Sequence, residues 1–313
     1  MDARRGSDNA KRKGWRGIVA LCACIALLAH AVDAQRNFAS PQEAAQALIK
    51  VAKANDRDAV LSILGPDAAE WMSSGDETAD RQAVARFVAH YETQHAIELH
   101  EGSADLVIGS ERFPFAFPLV REQGRWRFDT AAGKEEMLRR RIGENELSTI
   151  RVLRAIVAAQ QEYAAEDRNG DGLRAYAQKF ASSPGRHDGL YWPTQPGDTP
   201  SPLGELVAQA SSEGYERKGE GPSPYHGYFY RMLQGQGSHA VSGAYDYAVK
   251  GRAIGGFAVI AYPARYGNSG IMSFIVNQDG KIYQADLGPE TQERALQTQR
   301  FDPGPGWLET HVR

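Results

Sequence analysis

Leu147-Ser-Thr-Ile-Arg-Val-Leu-Arg-Ala-Ile-Val-Ala-Ala-Gln-Gln-Glu-Tyr163 is the stretch on which the fold turns. Ile150, Leu153, Ile156, Val157 and Tyr163 recur in steps of three and four, while Arg151, Arg154 and Glu162 take the other side. That period belongs to an amphipathic helix. The same pattern runs back through Leu147 and Ile142, so the spacing predicts one long helix over 134–166. Gly143 lies inside it. Glycine costs about 1 kcal/mol relative to alanine in a helix interior, so the joint between the two halves of the chain is placed there. Glu135, Glu136, Arg139, Arg140 and Arg141 form a charge run, which reads as a solvated helix face.

Upstream of this helix the chain starts with helical signals. Ser40-Pro-Gln-Glu43 supplies a hydroxyl cap, proline at the first helical position and a glutamate at the third. Ala44, Ala45, Leu48 and Ile49 continue at helical spacing. A second helix over 58–64 stops at Gly65-Pro66, and Ala83-Val84, Phe87-Val88 and Tyr91 mark one face of a third. Beyond His95 the period shortens to two. Ile97 to His100, Ala104 to Ile108, Phe113 to Val120 and Arg125 to Phe128 read as strands, with Glu122-Gln-Gly124 turning between the last two.

Downstream, the five prolines between Pro184 and Pro202 exclude a long regular element. A short helix is expected over 203–210. Strands follow at Gly227 to Leu233, Tyr245 to Val249, Phe257 to Tyr262, Met272 to Val276 and Lys281 to Ala285, with Asn277 to Gly280 as a turn. The fold class is therefore α+β: N-terminal helices and a curved antiparallel sheet (35–133), a connecting helix (134–166), and an antiparallel meander with Pro/Gly-rich loops (167–313). The element order of the first part is similar to the nuclear-transport-factor-like cone.

The first residues read as an address. Arg4, Arg5, Lys11, Arg12, Lys13 and Arg16 precede the apolar run Ile18 to Ala31, which falls short of the roughly 20 residues a bilayer span needs. Val32-Asp-Ala34 offers small residues for cleavage, so 1–34 is expected to be a signal peptide and the working chain to begin at Gln35. Both cysteines, Cys22 and Cys24, would leave with it, excluding disulfides and cysteine chemistry. An exported, periplasmic or secreted protein follows. In the whole chain Lys+Arg is 36 against Asp+Glu 39, which gives no basic footprint for nucleic acid.

Arg127-Phe-Asp-Thr-Ala-Ala-Gly-Lys-Glu-Glu136, Asp188-Gly-Leu-Tyr-Trp-Pro193, Ser201-Pro-Leu-Gly204 and Gly227-Tyr-Phe-Tyr230 together resemble the bacterial exported domain-of-unknown-function family 2950. The resemblance covers nearly all of the chain after residue 34. It implies an envelope location and carries over no catalytic residue. The helix over 147–163, with Phe257 to Pro263 and Phe274 to Asp286, is also similar to pilin and pseudopilin modules. Here the helix is internal and carries Arg151, Arg154, Glu162 and Glu166, so the likeness implies a soluble pilin-like module.

Asp167-Arg-Asn-Gly-Asp-Gly172 matches the first half of a calcium loop, with oxygens at Asp167, Asn169 and Asp171, glycine at the sixth position and the Leu173 carbonyl next. The twelfth position is Gln178 where a bidentate glutamate is needed, so any calcium site would be weak. A polar turn closing the helix is the competing reading. His90, His95 and His100, five apart, do not converge on one helix face. Gly267-Asn-Ser-Gly270 is one residue short of a nucleophile elbow and reads as a loop. Tyr191-Trp192 and the Tyr225 to Tyr230 segment, with Tyr228 and Tyr230, suit either an aromatic surface for a glycan or protein or the packing of their loops onto the sheet. The sequence thus points to a non-enzymatic envelope protein acting by binding or assembly, with an envelope protein or glycan as partner. The alternative is a hydrolase of envelope polymers using carboxylates in a cleft between the halves.

Overall fold

A computed structural model describes residues 35–168, 170–216 and 221–311, and all of them belong to one compact unit. The expected signal peptide and both cysteines lie outside the described residues.

Four helices lead: α1 (Pro41–Lys53), α2 (Arg57–Leu64), α3 (Ala68–Met72) and α4 (Glu77–Thr93). The capping signals act as written. Ser40 Oγ accepts the Glu43 N–H at 3.1 Å, and the Glu43 carboxylate accepts the Ala39 N–H at 2.9 Å. Strands β1 (His95–Leu99), β2 (Ser103–Ile108), β3 (Phe113–Pro114), β4 (Leu119–Glu122) and β5 (Arg125–Phe128) build an open antiparallel sheet in the order β1-β2-β4-β5, with β3 on β2. Gln123 and Gly124 both take positive φ (49° and 80°), the backbone a two-residue hairpin prefers. The strand expected over Phe113 to Val120 is divided, because Pro114 and Pro118 lack the N–H a ladder needs. Between them Phe115 and Phe117 turn inward. Phe38, Leu48, Ile63, Trp71, Phe117 and Phe128 form the core beneath α1–α3.

One helix, α5 (Thr130–Ala164), joins this layer to the next and runs unbroken through Gly143. After it come α6 (Gly204–Ser212), β6 (Tyr228–Leu233), β7 (Gly235–Gln236), β8 (Tyr245–Asp246), β9 (Ala258–Pro263), β10 (Met272–Asn277), β11 (Ile282–Asp286), α7 (Thr291–Gln297), β12 (Arg300–Phe301) and β13 (Leu308–Glu309). The main sheet is antiparallel in the order β13-β11-β10-β9-β6, and β12-β7-β8 make a small second sheet. Ile150, Leu153, Ile156 and Val157 of α5 cover one face, against Val259, Ala261, Phe274 and Val276. Ala295 of α7 and Phe301 of β12 cover the other, against Ile260, Tyr262 and Ile275. All six residues of β9 are buried, so its sequence is a continuous apolar run without alternation. Among the described residues, no helix is long and apolar enough to cross a membrane.

Candidate functional site

A groove of about 910 Å³ runs between α4 and the middle of α5 and ends at α6 and the Tyr225-His226 loop. It exists because α4 is only half packed. The stripe Ala83-Val84, Phe87-Val88, Tyr91 is apolar, yet only Tyr91 is buried; Ala83 and Val84 are exposed. The C-terminal half of α4 reaches the first core through Phe87, whose ring lies 4.8 Å from that of Phe115. Its N-terminal half is held by polar bonds. Asp76 is 1% exposed and caps the helix through the Ala79 N–H at 3.0 Å. Its other carboxylate oxygen accepts from the Tyr215 hydroxyl at 3.0 Å and the Gly227 N–H at 2.9 Å. Asp80 accepts the Ser74 N–H at 3.0 Å.

The loop between β9 and β10 also ties the two layers together. Arg141 donates to the Trp71 carbonyl at 2.9 Å and to Asn268. Asn145 donates to the Ser269 carbonyl at 2.8 Å, and Arg265 to the Ser73 carbonyl at 2.6 Å. Burial holds the Arg141 guanidinium below its ordinary range, with Asp80 acting against that and Arg265 adding to it. The charge run is therefore not uniformly solvated. Arg139 is, but Arg141 is a tie between the layers.

Two arginines in the groove are paired with acids. Arg140 binds Glu136 at 2.5 Å and the Pro114 carbonyl at 2.8 Å, and its guanidinium lies 4.4 Å over the Phe113 ring. Arg86 of α4 faces Glu144 of α5 at 3.8 Å. Glu213 faces His226 at 3.5 Å. His226 has a left-handed backbone, φ 51°, beside Gly227, and its ring lies 4.1 Å from Tyr225. Burial lowers the His226 pKa, opposed by Glu213 and then Asp76, so the ring is neutral at pH 7. Burial, then the charge of Glu213, raises the Tyr225 hydroxyl, which stays a phenol.

The residues expected to form a site fall elsewhere. In the loop after α5, Asp167 accepts the Gly170 and Gly172 N–H groups at 2.9 and 2.7 Å. Asp171 accepts the Leu173 N–H at 3.1 Å and pairs with Arg252. Both carboxylates thus close a turn, and a guanidinium already neutralises one. Asn169 lies outside the described residues. No group of three His, Cys, Asp or Glu side chains comes together as a metal site among the described residues. His90, His95 and His100 sit apart: His90 lines the groove, His95 stacks on Tyr91 and His100 bonds Asp105 at 3.0 Å.

The aromatic surface needs correction. Tyr228 is 0% and Trp192 4% exposed, and both belong to the core under α5. Tyr228 donates to the Met272 carbonyl at 2.9 Å, and its ring occupies the space a side chain at Gly270 would fill. Tyr230 packs against the same core near Thr149, and half-buried Tyr191 holds a bridge to Ala181. The aromatic of that segment that does line the groove is Tyr225.

Asp188, which opens the Asp188-Gly-Leu-Tyr-Trp-Pro193 motif, staples its loop. It binds Lys179 at 2.8 Å and the Ser183 N–H at 2.8 Å. Lys179 first, then the Ser183 N–H, hold its pKa at about 2, below the ordinary 3.8. A depressed carboxylate stabilises above its unfolded pKa and loses that contribution as pH falls through the folded one. Thermal melts of Asp188→Asn should therefore lie below those of the parent at pH 5. The gap should close as pH falls from about 4 to about 2; an equal gap throughout would remove the ion pair from the account.

These features define an α+β protein whose two layers share one long helix and leave a groove beside it. The chain belongs to the family described as "Protein of unknown function (DUF2950)", whose profile matches residues 35–310. No curated protein and no solved structure matches the chain.

Proposed function

We propose that this is an exported envelope protein that acts by binding, and that its ligand occupies the groove between α4 and α5. The observation that carries the reading is the groove's construction. Its walls come from both layers of the fold, they are fixed by buried polar bonds, and the volume suits a ligand of several hundred daltons. Two of its three carboxylates are engaged, Asp80 by a backbone N–H and Glu144 by Arg86, while Glu213 accepts from Gln209 at one oxygen only. A single acid with a free oxygen favours binding over a hydrolytic acid pair, which needs two carboxyl groups. The basic and apolar leader supports export, as does a family match that begins at residue 35, directly after the expected cleavage point. The pilin likeness is one of arrangement, a long helix over a meander. The apolar face of α5 is used up against β9 and β10, so assembly through that face is not part of the proposal.

The protein should be expressed with its own leader, recovered from the envelope fraction and weighed by native mass spectrometry. Ala83→Trp, which fills the α4 wall at an exposed position, is the companion. The parent is expected to carry a bound mass that Ala83→Trp lacks. Recovery in the cytosol with residues 1–34 attached would overturn the export reading. An empty parent that turns over envelope polymers would replace binding with hydrolysis.

A further inference from the structure

The groove has two chemically different ends. At the first, Phe87, Ile108, Phe113, Phe115 and Met137 form an apolar lining, and Phe113 is 53% exposed. The cation there, Arg140, is spent on Glu136 and a carbonyl. At the second, Gln82, Arg151, Glu213 and His226 give a polar lining. Arg151 differs from the other groove arginines. It is exposed, it donates to Ser148 of its own helix at 2.8 Å, and it pairs with no carboxylate among the described residues. Glu213, just past α6, accepts from Gln209 at 2.9 Å and stands 3.5 Å from His226. One end therefore offers apolar surface and the other a cation still needing an anion. Met137 and Arg151 are fourteen residues apart on α5, about 21 Å along the axis at 1.5 Å per residue.

We infer that the groove takes a single-chain amphiphile with an anionic head, its tail along Phe87, Phe113 and Met137 and its head at Arg151. This rests on the binding reading above and names its ligand class. An apolar tail removes exposed aromatic surface from water, at about 25 cal/mol per Å² buried. The head completes a charge-assisted hydrogen bond to a guanidinium. A hydrophilic glycan would leave the aromatic end unpaired, and a cationic amphiphile would meet Arg151 with like charge.

The test is titration calorimetry of the full protein with four C12 probes below their micellar concentrations: laurate, dodecyl phosphate, dodecyl maltoside and dodecyltrimethylammonium. Laurate and dodecyl phosphate should bind one per chain, and their ratio distinguishes a carboxylate from a phosphate head. The maltoside should bind at least tenfold more weakly and the ammonium not at all. Arg151→Gln, at an exposed position, should weaken the two anions about tenfold and leave the maltoside unchanged. Phe113→Ser, also exposed, should weaken all three binders. Circular dichroism confirms that both variants are folded. Binding indifferent to head charge, or anion affinity untouched by Arg151→Gln, overturns the inference. A groove that binds a glycan or an acidic peptide, with Ala83→Trp blocking it, also overturns it while leaving the binding reading intact. A parent that carries no bound mass and binds none of these overturns both.

Discussion

Replacing Asp76 with alanine is expected to cost about 3–5 kcal/mol of folding stability. The reason lies in what the carboxylate serves. It caps α4, a contribution of about 1 kcal/mol by itself. It also accepts from the half-buried Tyr215 hydroxyl and the buried Gly227 N–H, which come from the other layer. A buried donor left without a partner costs about 1–3 kcal/mol. Urea unfolding followed by tryptophan fluorescence measures the loss directly. Asp76→Asn should lose less, because its amide keeps one acceptor oxygen for the cap while presenting hydrogens where donors already point. The groove should feel the change too. Gly227 adjoins His226, whose left-handed backbone is held in place by that bond. Freed of it, the polar end of the groove loses its geometry. A loss below about 1 kcal/mol would show that the layers are held chiefly by the contacts of Arg141, Asn268 and Arg265.

How much of this was legible in the sequence follows the range of the interactions. Local signals were readable: the Ser40 and Glu43 cap, the turn at Gln123-Gly124, β5 with the bounds Arg125 to Phe128, and the long helix, which starts at Thr130, four residues before its expected start. The family was legible in four dispersed motifs, one of which contains Asp188. Gly189 in that motif has a physical reason to be glycine, since a Cβ there would meet the Ala181 carbonyl carbon at 2.7 Å. Short polar elements such as α7 and β13 carry too little periodicity to be seen.

The groove was not legible, because periodicity names a face of a helix but not what that face meets. The apolar stripe of α4 reads as core, yet whether its first half packs is decided by Asp76 bonding to residues well over a hundred positions away. Arg139, Arg140 and Arg141 read alike as neighbours in a charge run. Their fates differ because helix rotation sends one to solvent, one onto Phe113 and one to Trp71 and Asn268. Tyr228 and Trp192, flanked by glycine and proline, read either as surface or as loop packing. In the fold a distant glycine makes room: without a side chain at Gly270, the Tyr228 ring enters the core.

The two glycines of α5 should respond in opposite directions to the same substitution. Glycine in a helix interior is about 1 kcal/mol worse than alanine, so on propensity alone both Gly133→Ala and Gly143→Ala stabilise. At Gly143 nothing lies within 4 Å of a built Cβ, and the full gain of about 1 kcal/mol should appear. At Gly133 a Cβ would stand 1.9 Å from the Phe117 ring. That ring is 4% exposed and stacked on Trp71 with centroids 5.4 Å apart, so it has nowhere to retreat. Overpacking of a closed core typically costs about 1–3 kcal/mol and sometimes more, which outweighs the propensity gain and leaves a net loss of about 1 kcal/mol. Chemical denaturation of the two single variants and the double separates the terms. The sites are ten residues apart, about 15 Å along the axis, so their effects should add. A stabilised Gly133→Ala would mean that α5 does not press on Phe117, and the docking of the long helix on the first core would have to be redrawn. A destabilised Gly143→Ala would instead place a backbone demand at the middle of α5, where the helix passes from one layer to the other along the groove.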